Sequence, residues 1–186
     1  RQERRLLLTD GPTLPYDYLV LATGSVTHFF GVPGAAEHAF ELKSLRQGVA
    51  LRSHILGCFE QAALTLDESA RRRLLNFIIV GGGATGVEFA GALAELVQRP
   101  LRRDYPELDF GEVRVILLEA GPALLLYFPP RLCAYAAARL RRMGVEVRLA
   151  APVAEVSAEG ALLRDGTLVP SASVISVSYT HLTLPT

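Results

Sequence analysis

The chain has 186 residues, half of them hydrophobic and a fifth charged, which is the composition of a folded globular protein with a substantial core. Nineteen Lys and Arg residues balance nineteen Asp and Glu residues, so no overall charge favours nucleic acid or an anionic membrane surface as a partner. The chain has two cysteines far apart in the sequence, Cys58 and Cys133, and four histidines without the spacing of metal ligands. This pattern excludes a CxxC redox pair and a zinc site. Two isolated thiols are typical of a protein in a reducing compartment.

The first predicted elements are two strands on either side of a turn. Residues 6–9 are mostly apolar, Asp10 and Gly11 are a strong turn pair, and residues 18–22 form the continuous apolar run of a buried strand. Residues 31–34, with the sequence GVPG, predict a loop that leaves this unit. The opening segment therefore predicts a small β unit.

A helix is predicted next, over residues 44–63. The residues that recur at helical spacing, and so define its expected face, are Val49, Arg52, Leu56, Phe59 and Ala63. The polar run DESARRR, which begins at Asp67, predicts a linker. We place a domain boundary close to it.

Beyond this boundary, predicted strands and helices alternate. The strands are expected over residues 77–80, 113–118 and 145–149, and the helices over residues 85–98 and 131–143. This order favours a parallel sheet with right-handed crossover connections. Gly144 occupies the C′ position of the second helix. Short strands at residues 153–156, 161–163 and 167–169, the last two joined by Asp165-Gly166, predict a closing β-meander.

The stretch NFIIVGGGATGVEFAG, residues 76–91, places three glycines between a strand and a helix. A helix N-terminus carries unpaired N–H groups and a partial positive charge, and both attract phosphate. In this GxGxxG pattern Gly81 makes the turn, Gly83 lets a pyrophosphate approach, and Gly86 lets the helix pack on the strand. The variable positions are filled by Gly82, Ala84 and Thr85. The pattern predicts a dinucleotide site.

The next strand ends in an acid, Glu119, within VRVILLEAG. A carboxylate there accepts hydrogen bonds from the ribose hydroxyls of an adenosine. Its distance along the chain exceeds the usual spacing of about 20 residues, which we attribute to the extended connection QRPLRRDYPELDFGE. A 2′-phosphate about 4 Å from this carboxylate costs roughly 4 kcal/mol at an effective dielectric of about 20. NADH is therefore predicted over NADPH.

The segment YDYLVLATGS, residues 16–25, resembles the A-T-G segment of flavoproteins with two dinucleotide-binding domains, the pyridine nucleotide-disulfide oxidoreductase superfamily. In such proteins this strand and its turn lie against FAD. The resemblance therefore implies that Ala22, Thr23 and Gly24 contact the FAD cofactor.

Further segments, in the right order within residues 10–175, are similar to the type II NADH dehydrogenases, the single-subunit NADH:quinone oxidoreductases. They include GVPGAAEHAFELKSL, IIVGGGATGVEFAGALAEL, DYPELD and VILLEAGPALL. The resemblance implies an α/β fold, with a Rossmann-like NAD(H)-binding domain inserted into a discontinuous FAD-binding domain. The expected divisions are a partial FAD-binding domain at residues 1–34, a helical connector at 35–72 and the NAD(H)-binding domain at 73–175. The last segment, 176–186, resembles a translated sequencing adapter and is expected to be non-native.

The same resemblance implies a function for the parent protein. It would pass a hydride from NADH to FAD and then electrons to a quinone, as a peripheral protein on the cytoplasmic, inner face of the cell membrane. Glu88 matches a glutamate that lies near the nicotinamide and flavin in such proteins. No side chain here is expected to act as a general acid or base. The family also allows a homodimer, and the chain alone is expected to be inactive because its quinone site and membrane segments lie elsewhere.

Two alternatives stay open. Another FAD- and NAD(P)H-dependent reductase of the same superfamily, of the ferredoxin or disulfide type, would share several of these features. The chain by itself could instead be an NAD(H)-binding fragment without catalysis. The colour of the purified chain separates these cases, because bound flavin is yellow.

Overall fold

The structure, a computed structural model, describes residues 4–22, 25–177 and 179–181. The chain divides into two compact units. One contains the described residues up to Ser25, together with His181, and the other is Val26–Thr180. The second unit carries the glycine-rich turn and Glu119, and most of the fold belongs to it.

Helices and strands alternate along most of the chain. The helices are α1 (Ala35–His38), α2 (Leu45–Leu64), α3 (Glu68–Leu75), α4 (Ala84–Leu96), α5 (Arg102–Asp104) and α6 (Pro130–Arg142), with a π-helical turn, Val97–Leu101, between α4 and α5. The strands are β1 (Arg5–Leu7), β2 (Thr13–Pro15), β3 (Ser25–Thr27), β4 (Ala39–Glu41), β5 (Asn76–Val80), β6 (Arg114–Leu118), β7 (Val145–Arg148), β8 (Val153–Ser157), β9 (Gly160–Leu163), β10 (Leu168–Pro170), β11 (Ser173–Ser176) and β12 (Tyr179–His181). The helices and strands expected between residues 77 and 149 are confirmed, with ends that differ by one or two residues.

The first unit contains an antiparallel hairpin of β1 and β2, with Arg5 opposite Pro15. The turn expected at residues 10–11 is therefore confirmed. The buried strand expected at residues 18–22 is wrong: the segment belongs to no strand, and Val20 is 86% exposed. An apolar run is buried as a strand only when neighbouring strands and covering layers surround it, and no described residue pairs with this run.

The second unit is built on a five-stranded parallel sheet with the order β4-β11-β5-β6-β7. Side chains of the central strand β5 alternate between its two faces. Phe77 and Ile79 pack in a hydrophobic cluster with α2, α4 and α6, whereas Ile78 packs on the opposite side against β8 and β9. The predicted α/β, Rossmann-like fold is confirmed, with helices on one face and a β-meander on the other.

The β-meander and the predicted glycine turns are also present. Its strands β8, β9 and β10 form an antiparallel sheet in the order β10-β9-β8. Gly144 follows α6 with a φ of 84°, and Gly166 lies between β9 and β10 with a φ of 86°. Both angles are in the left-handed region that glycine adopts without strain. The sequence therefore places these turns correctly.

α2 is the predicted helix, but its buried face differs from the expected one. The helix starts at a capping box in which Ser44 and Gln47 each accept a hydrogen bond from the other's backbone N–H. Its buried residues are Leu51, Ile55, Cys58, Phe59 and Ala62. Of the expected set, Val49 and Arg52 are exposed. The buried residues keep helical spacing and include no charged side chain, whereas the expected set included Arg52. Helical periodicity alone therefore predicted a face next to the one that is buried.

The segment DESARRR, residues 67–73, was expected as a polar linker, but most of it lies in the helix α3 (Glu68–Leu75). Asp67 caps the helix by accepting a hydrogen bond of 2.8 Å from the Ser69 N–H. Arg71 and Glu112 form a two-point ion pair, with Nε–Oε2 at 2.8 Å and Nη2–Oε1 at 3.1 Å. The hydrogen bond from Arg71 lowers the pKa of Glu112. The polar composition of DESARRR thus belongs to a helix tied to the connection that precedes β6.

The strand β11 concerns two expected divisions of the chain, the helical connector at residues 35–72 and the non-native tail at residues 176–186. It pairs with β4 on one side and β5 on the other, so the sheet includes a strand from the segment 35–72. The division of the chain into domains stays a prediction. Ser176, the first residue of the expected non-native tail, is buried in β11. Residues 178 and 182–186 of that tail lie outside the described residues.

A polar cluster formed by the half-buried His54 and the buried Cys58 and Ser173 joins α2 to the sheet. His54 Nε2 lies 2.9 Å from Ser173 Oγ and 3.4 Å from Cys58 Sγ. The imidazole also packs on Phe40, with 4.2 Å between ring centroids. Burial lowers the pKa of His54 and raises the pKa of the Cys58 thiol. Near neutral pH the folded chain therefore holds a neutral imidazole and a protonated thiol at this contact.

We predict that this cluster makes stability fall as the pH drops below 6.5, the ordinary pKa of histidine. Between that value and the lower pKa of folded His54, the unfolded chain binds more protons than the folded chain, so protonation favours unfolding. Urea unfolding at about pH 7.5 and about pH 5.5 measures the loss. His54→Gln removes this part of the pH dependence, whereas the exposed control His38→Gln keeps it. A wild-type pH dependence in His54→Gln would contradict the assignment.

Candidate nucleotide-binding site

The glycine-rich turn lies at the carboxyl end of β5, the middle strand of the parallel sheet. Glu119 follows the carboxyl end of the adjacent strand β6. In open parallel sheets, ligands bind outside the carboxyl ends of the strands. The topology therefore brings the two parts of the predicted site to one edge.

At Gly81 and Gly86 the structure shows the tight backbone geometry for which the pattern calls for glycine. Gly81 has a φ of 113°, and its N–H donates a 2.9 Å hydrogen bond to Leu118 O, which ties the turn to β6. A Cβ added at Gly86 would lie 1.9 Å from Gly81 O. The first turn of α4 therefore packs on the backbone of the turn at a distance that only glycine permits.

Gly83 faces open space. It precedes α4 with φ −72° and ψ −176°, and a Cβ added there meets no atom within 4 Å. Among the residues that the structure describes, no side chain caps the N-terminus of α4. The N–H groups of the first helical turn, which includes Ala84 and Thr85, are thus left for a ligand in front of Gly83. This geometry fits an anionic group such as a pyrophosphate.

Gly82 has a role that the sequence analysis missed, because it occupies a variable position of the pattern. A Cβ added at Gly82 would lie 2.6 Å from Leu124 Cδ2 and 2.7 Å from Glu119 Oε2. Its N–H donates a 2.5 Å hydrogen bond to Glu119 Oε2. Gly82 therefore makes room for the acidic side chain that the sequence assigned to the ribose.

The carboxylate of Glu119 joins the two halves of the site. While Oε2 accepts from Gly82, Oε1 accepts a 2.6 Å hydrogen bond from the Gly121 N–H. The side chain is half-buried. A carboxylate has about four acceptor positions, so two stay available for ribose hydroxyls. Backbone bonds hold the group where it would accept them.

The loop that follows Glu119 folds back over the glycine turn. Leu124 is buried beside Gly82, and the Leu125 N–H donates a 2.8 Å hydrogen bond to Gly82 O. Cys133, near the start of α6, donates its thiol hydrogen towards Leu125 O at 3.3 Å. The sequence analysis did not identify this loop. The only signal was the apolar run LLLYF after a strand, which has no specific meaning by itself.

The structure also describes two other predicted site residues, Glu88 and Ala22. Glu88 is exposed on α4, and its carboxylate has no hydrogen-bonding partner among the described residues. It borders an open groove of about 440 Å³ between α4 and α6, together with Gly91, Tyr135 and Arg139. Ala22 is exposed in the other compact unit.

Thr23 and Gly24, the remaining residues of the A-T-G segment, lie outside the described residues. The structure thus brings together Gly81, Gly82, Gly83, Gly86 and Glu119, with Ala84 and Thr85 in the adjoining first turn of α4. The roles of these residues, and of Glu88 and Ala22, stay predictions.

Comparisons with known proteins agree with this geometry. The profile of the family described as pyridine nucleotide-disulphide oxidoreductase matches residues 1–179. The chain is 42% identical over 151 residues to the type II NADH:quinone oxidoreductase Ndh of Mycobacterium tuberculosis, and 39% identical over 158 residues to a probable NADH dehydrogenase of Dictyostelium discoideum. These alignments cover 81% and 84% of this chain but 33% and 35% of the relatives. The chain therefore spans about a third of their length.

Solved structures share the fold. The structure of NDH2 from Plasmodium falciparum in complex with NADH superposes with a TM-score of 0.79 at 22% identity, covering 90% of this chain and 35% of that one. A ferredoxin reductase from Rhodopseudomonas palustris superposes with a TM-score of 0.63, also at 22% identity, covering 96% and 38%. At these identities the likeness establishes the fold alone.

The second and third glycines of the pattern, Gly83 and Gly86, predict different effects of the same substitution on stability. Gly86→Ala should destabilise the fold by about 2 kcal/mol or more, because its Cβ would overlap Gly81 O. Gly83→Ala should change stability by less than about 1 kcal/mol, because its Cβ meets nothing and its φ suits any residue. Urea unfolding of the two matched variants measures the difference. Equal losses would contradict the packing described here.

Proposed function

The chain belongs to the pyridine nucleotide-disulphide oxidoreductase family, and we propose that it forms the NADH-binding part of an FAD-dependent NADH:quinone oxidoreductase. The relatives that it matches at 42% and 40% identity in Mycobacterium tuberculosis are both named type II NADH:quinone oxidoreductases. The full activity belongs to proteins such as those relatives, of which the alignments with this chain cover 33% and 32%.

The observation that carries the proposal is the hydrogen bond between Gly82 and Glu119. This hydrogen bond holds Glu119 Oε2 2.5 Å from the backbone nitrogen of Gly82. Glu119 would bind the adenosine ribose, and the turn that contains Gly82 would bind the pyrophosphate. A glycine-rich turn alone is a weak indication, because many loops contain glycines. An open helix N-terminus beside a backbone-held carboxylate matches the two polar parts of one dinucleotide.

The residues of this chain would bind and orient the nucleotide. The uncapped N–H groups at the start of α4 would hold the pyrophosphate in the space in front of Gly83, and Glu119 would accept the ribose hydroxyl hydrogens. Glu88, one turn further along α4, would help to place the nicotinamide end. Bound NADH and FAD would supply the hydride-transfer chemistry, so this chain would contribute positioning rather than proton transfer.

NADH is the proposed nucleotide rather than NADPH. A 2′-phosphate would meet the Glu119 carboxylate, and residues 120–130 contain no Arg or Lys that could neutralise it. Glu119 is also held by Gly82 and Gly121, which leaves it little freedom to turn away. Both the charge and its fixed position therefore oppose the additional phosphate.

The flavin, the acceptor and the location belong to the proposal as well. Ala22, Thr23 and Gly24 would lie against FAD, and the quinone site would lie in the remainder of the parent protein. We propose a peripheral enzyme on the inner face of the cell membrane that could form a homodimer. No helix among the described residues is long and apolar enough to cross a bilayer. The ferredoxin-type alternative has support from the shared fold alone.

Glu119→Gln should weaken NADH binding about tenfold or more and reduce the preference over NADPH. The amide nitrogen of glutamine cannot accept a hydrogen bond, so the side chain loses a charged acceptor worth about 1.5–3 kcal/mol. Calorimetric titration of the chain with NADH and NADPH measures both effects. Glu155→Gln, on β8 away from the turn, is the matched control. Unchanged selectivity in Glu119→Gln would count against this role.

Gly83→Ala should abolish measurable NADH binding while the chain remains folded. The new methyl group would occupy the space in front of α4 that the pyrophosphate needs. The same titration, with circular dichroism to verify folding, tests this directly. Gly57→Ala, which also places its Cβ in open space, is the control and should bind NADH normally. Normal NADH binding by Gly83→Ala would show that the pyrophosphate does not lie in front of Gly83.

Glu88→Gln, made in the complete parent enzyme, should slow reduction of the flavin by NADH without weakening NADH binding. The physical reason is that Glu88 lies beyond the pyrophosphate turn, where it would contact the nicotinamide end rather than the adenosine. Stopped-flow absorbance of the flavin gives the rate. The same rate in wild type and variant would contradict a role for Glu88 in flavin reduction. Its carboxylate would then only stabilise α4 through its favourable charge near the helix N-terminus.

A further inference from the structure

Two residues with an unusual backbone conformation hold the loops of the nucleotide site. Among the residues that the structure describes, Leu125 and Ala150 are two of four non-glycine residues with a positive φ, at 53° and 50°. The Leu125 N–H donates to Gly82 O at 2.8 Å, and the Ala150 N–H donates to Gly121 O at 2.9 Å. Such strained conformations persist only where surrounding contacts hold them, and they concentrate at functional sites.

Leu125 belongs to the covering loop, defined here as residues 120–129, which lies between Glu119 and α6. Its carbonyl oxygen accepts hydrogen bonds from the Phe128 N–H at 2.8 Å and from the Cys133 thiol at 3.3 Å. Its side chain is half-buried and packs on the main hydrophobic cluster. The Cys133 thiol is buried at the start of α6. Contacts on both sides of the residue therefore hold Leu125 in the left-handed conformation.

The hydrogen bond from Leu125 fixes the direction of the peptide that joins Gly82 to Gly83. A trans peptide is planar, and its C=O and N–H groups point in opposite directions. Because Gly82 O is turned towards Leu125, the Gly83 N–H points away from the covering loop. Among the described residues, this N–H donates to no backbone acceptor. It is therefore available to a ligand together with the first N–H groups of α4.

We propose that Leu125 and Cys133 are positioning residues for the pyrophosphate of the nucleotide. Leu125 orients the peptide between Gly82 and Gly83 so that its N–H binds a phosphate oxygen, and Cys133 holds Leu125 in the conformation that this orientation requires. Both residues act through the backbone of the glycine turn rather than by contact with the nucleotide. This role rests on the proposed function, because it requires a dinucleotide at that turn.

Two substitutions at position 125 test the orientation of the peptide. Glycine keeps the N–H and adopts a φ of 53° without strain, so Leu125→Gly should bind ADP-ribose within about twofold of the wild type. Proline has no N–H, and its ring fixes φ near −65°, so Leu125→Pro should weaken ADP-ribose binding about tenfold. Calorimetric titration of the 186-residue chain gives both affinities, and circular dichroism verifies that each variant is folded.

A milder pair of variants at Cys133 keeps the test decisive if Leu125→Pro does not fold. Cys133→Ala removes the hydrogen bond to Leu125 O and should weaken ADP-ribose binding about threefold. Cys133→Ser supplies an O–H donor in the same place and should restore the wild-type affinity. Cys58→Ala, which removes the buried thiol of α2, is the control and should bind ADP-ribose as the wild type does.

Adenosine separates positioning of the pyrophosphate from general support of the site. It carries no phosphate, so Leu125→Pro and Cys133→Ala should leave its affinity, measured by NMR titration, unchanged. Equal weakening of adenosine and ADP-ribose binding would overturn the proposal, because the covering loop would then only support the fold of the site. Unchanged ADP-ribose binding in both variants would overturn it as well. No ADP-ribose binding by the wild-type chain would contradict the proposed function itself, and with it the role of these two residues.

Discussion

The site depends on one carboxylate that accepts hydrogen bonds from the backbone of two different loops. Glu119 links Gly82, in the turn after β5, to Gly121, in the loop after β6. This contact requires glycine at position 82, since a Cβ would lie within 2.7 Å of the carboxylate. It also fixes a negative charge where an adenosine ribose would lie. In the proposed function, the shape of the turn and the preference for NADH over NADPH would therefore have the same physical origin.

The rigidity of that contact comes from the layers beneath it. The strands β5 and β6 are buried on both faces, so the positions at which they end are set by the core. The long connection before β6 adds to this core, because Tyr105 and Phe110 pack on Phe59 of α2 with centroid distances of 5.6 and 5.9 Å. The inserted segment that lengthens the spacing between the glycines and Glu119 thus anchors α2 to the sheet.

Much of this arrangement could be predicted from the sequence, because the signals were local. Gly81 and Gly86 follow from a pattern whose steric reasons are general, and the alternation of strands and helices indicates the parallel sheet. The role of Gly82 could not be predicted, because it depends on a side chain 37 residues away. Residues 18–22 were misassigned for a related reason: an apolar run shows that a segment can be buried, not that strands are present to cover it.

An NMR titration of the isotope-labelled chain with NADH tests the central claim most directly, because it reports on individual N–H groups. The account predicts that the amide signals of Gly82, Gly83 and Ala84 shift on saturation, while that of Gly144, at the other end of the sheet, does not. Shifts confined to other parts of the chain, or none at saturating NADH, would contradict the assignment of the glycine turn and Glu119 as a dinucleotide site.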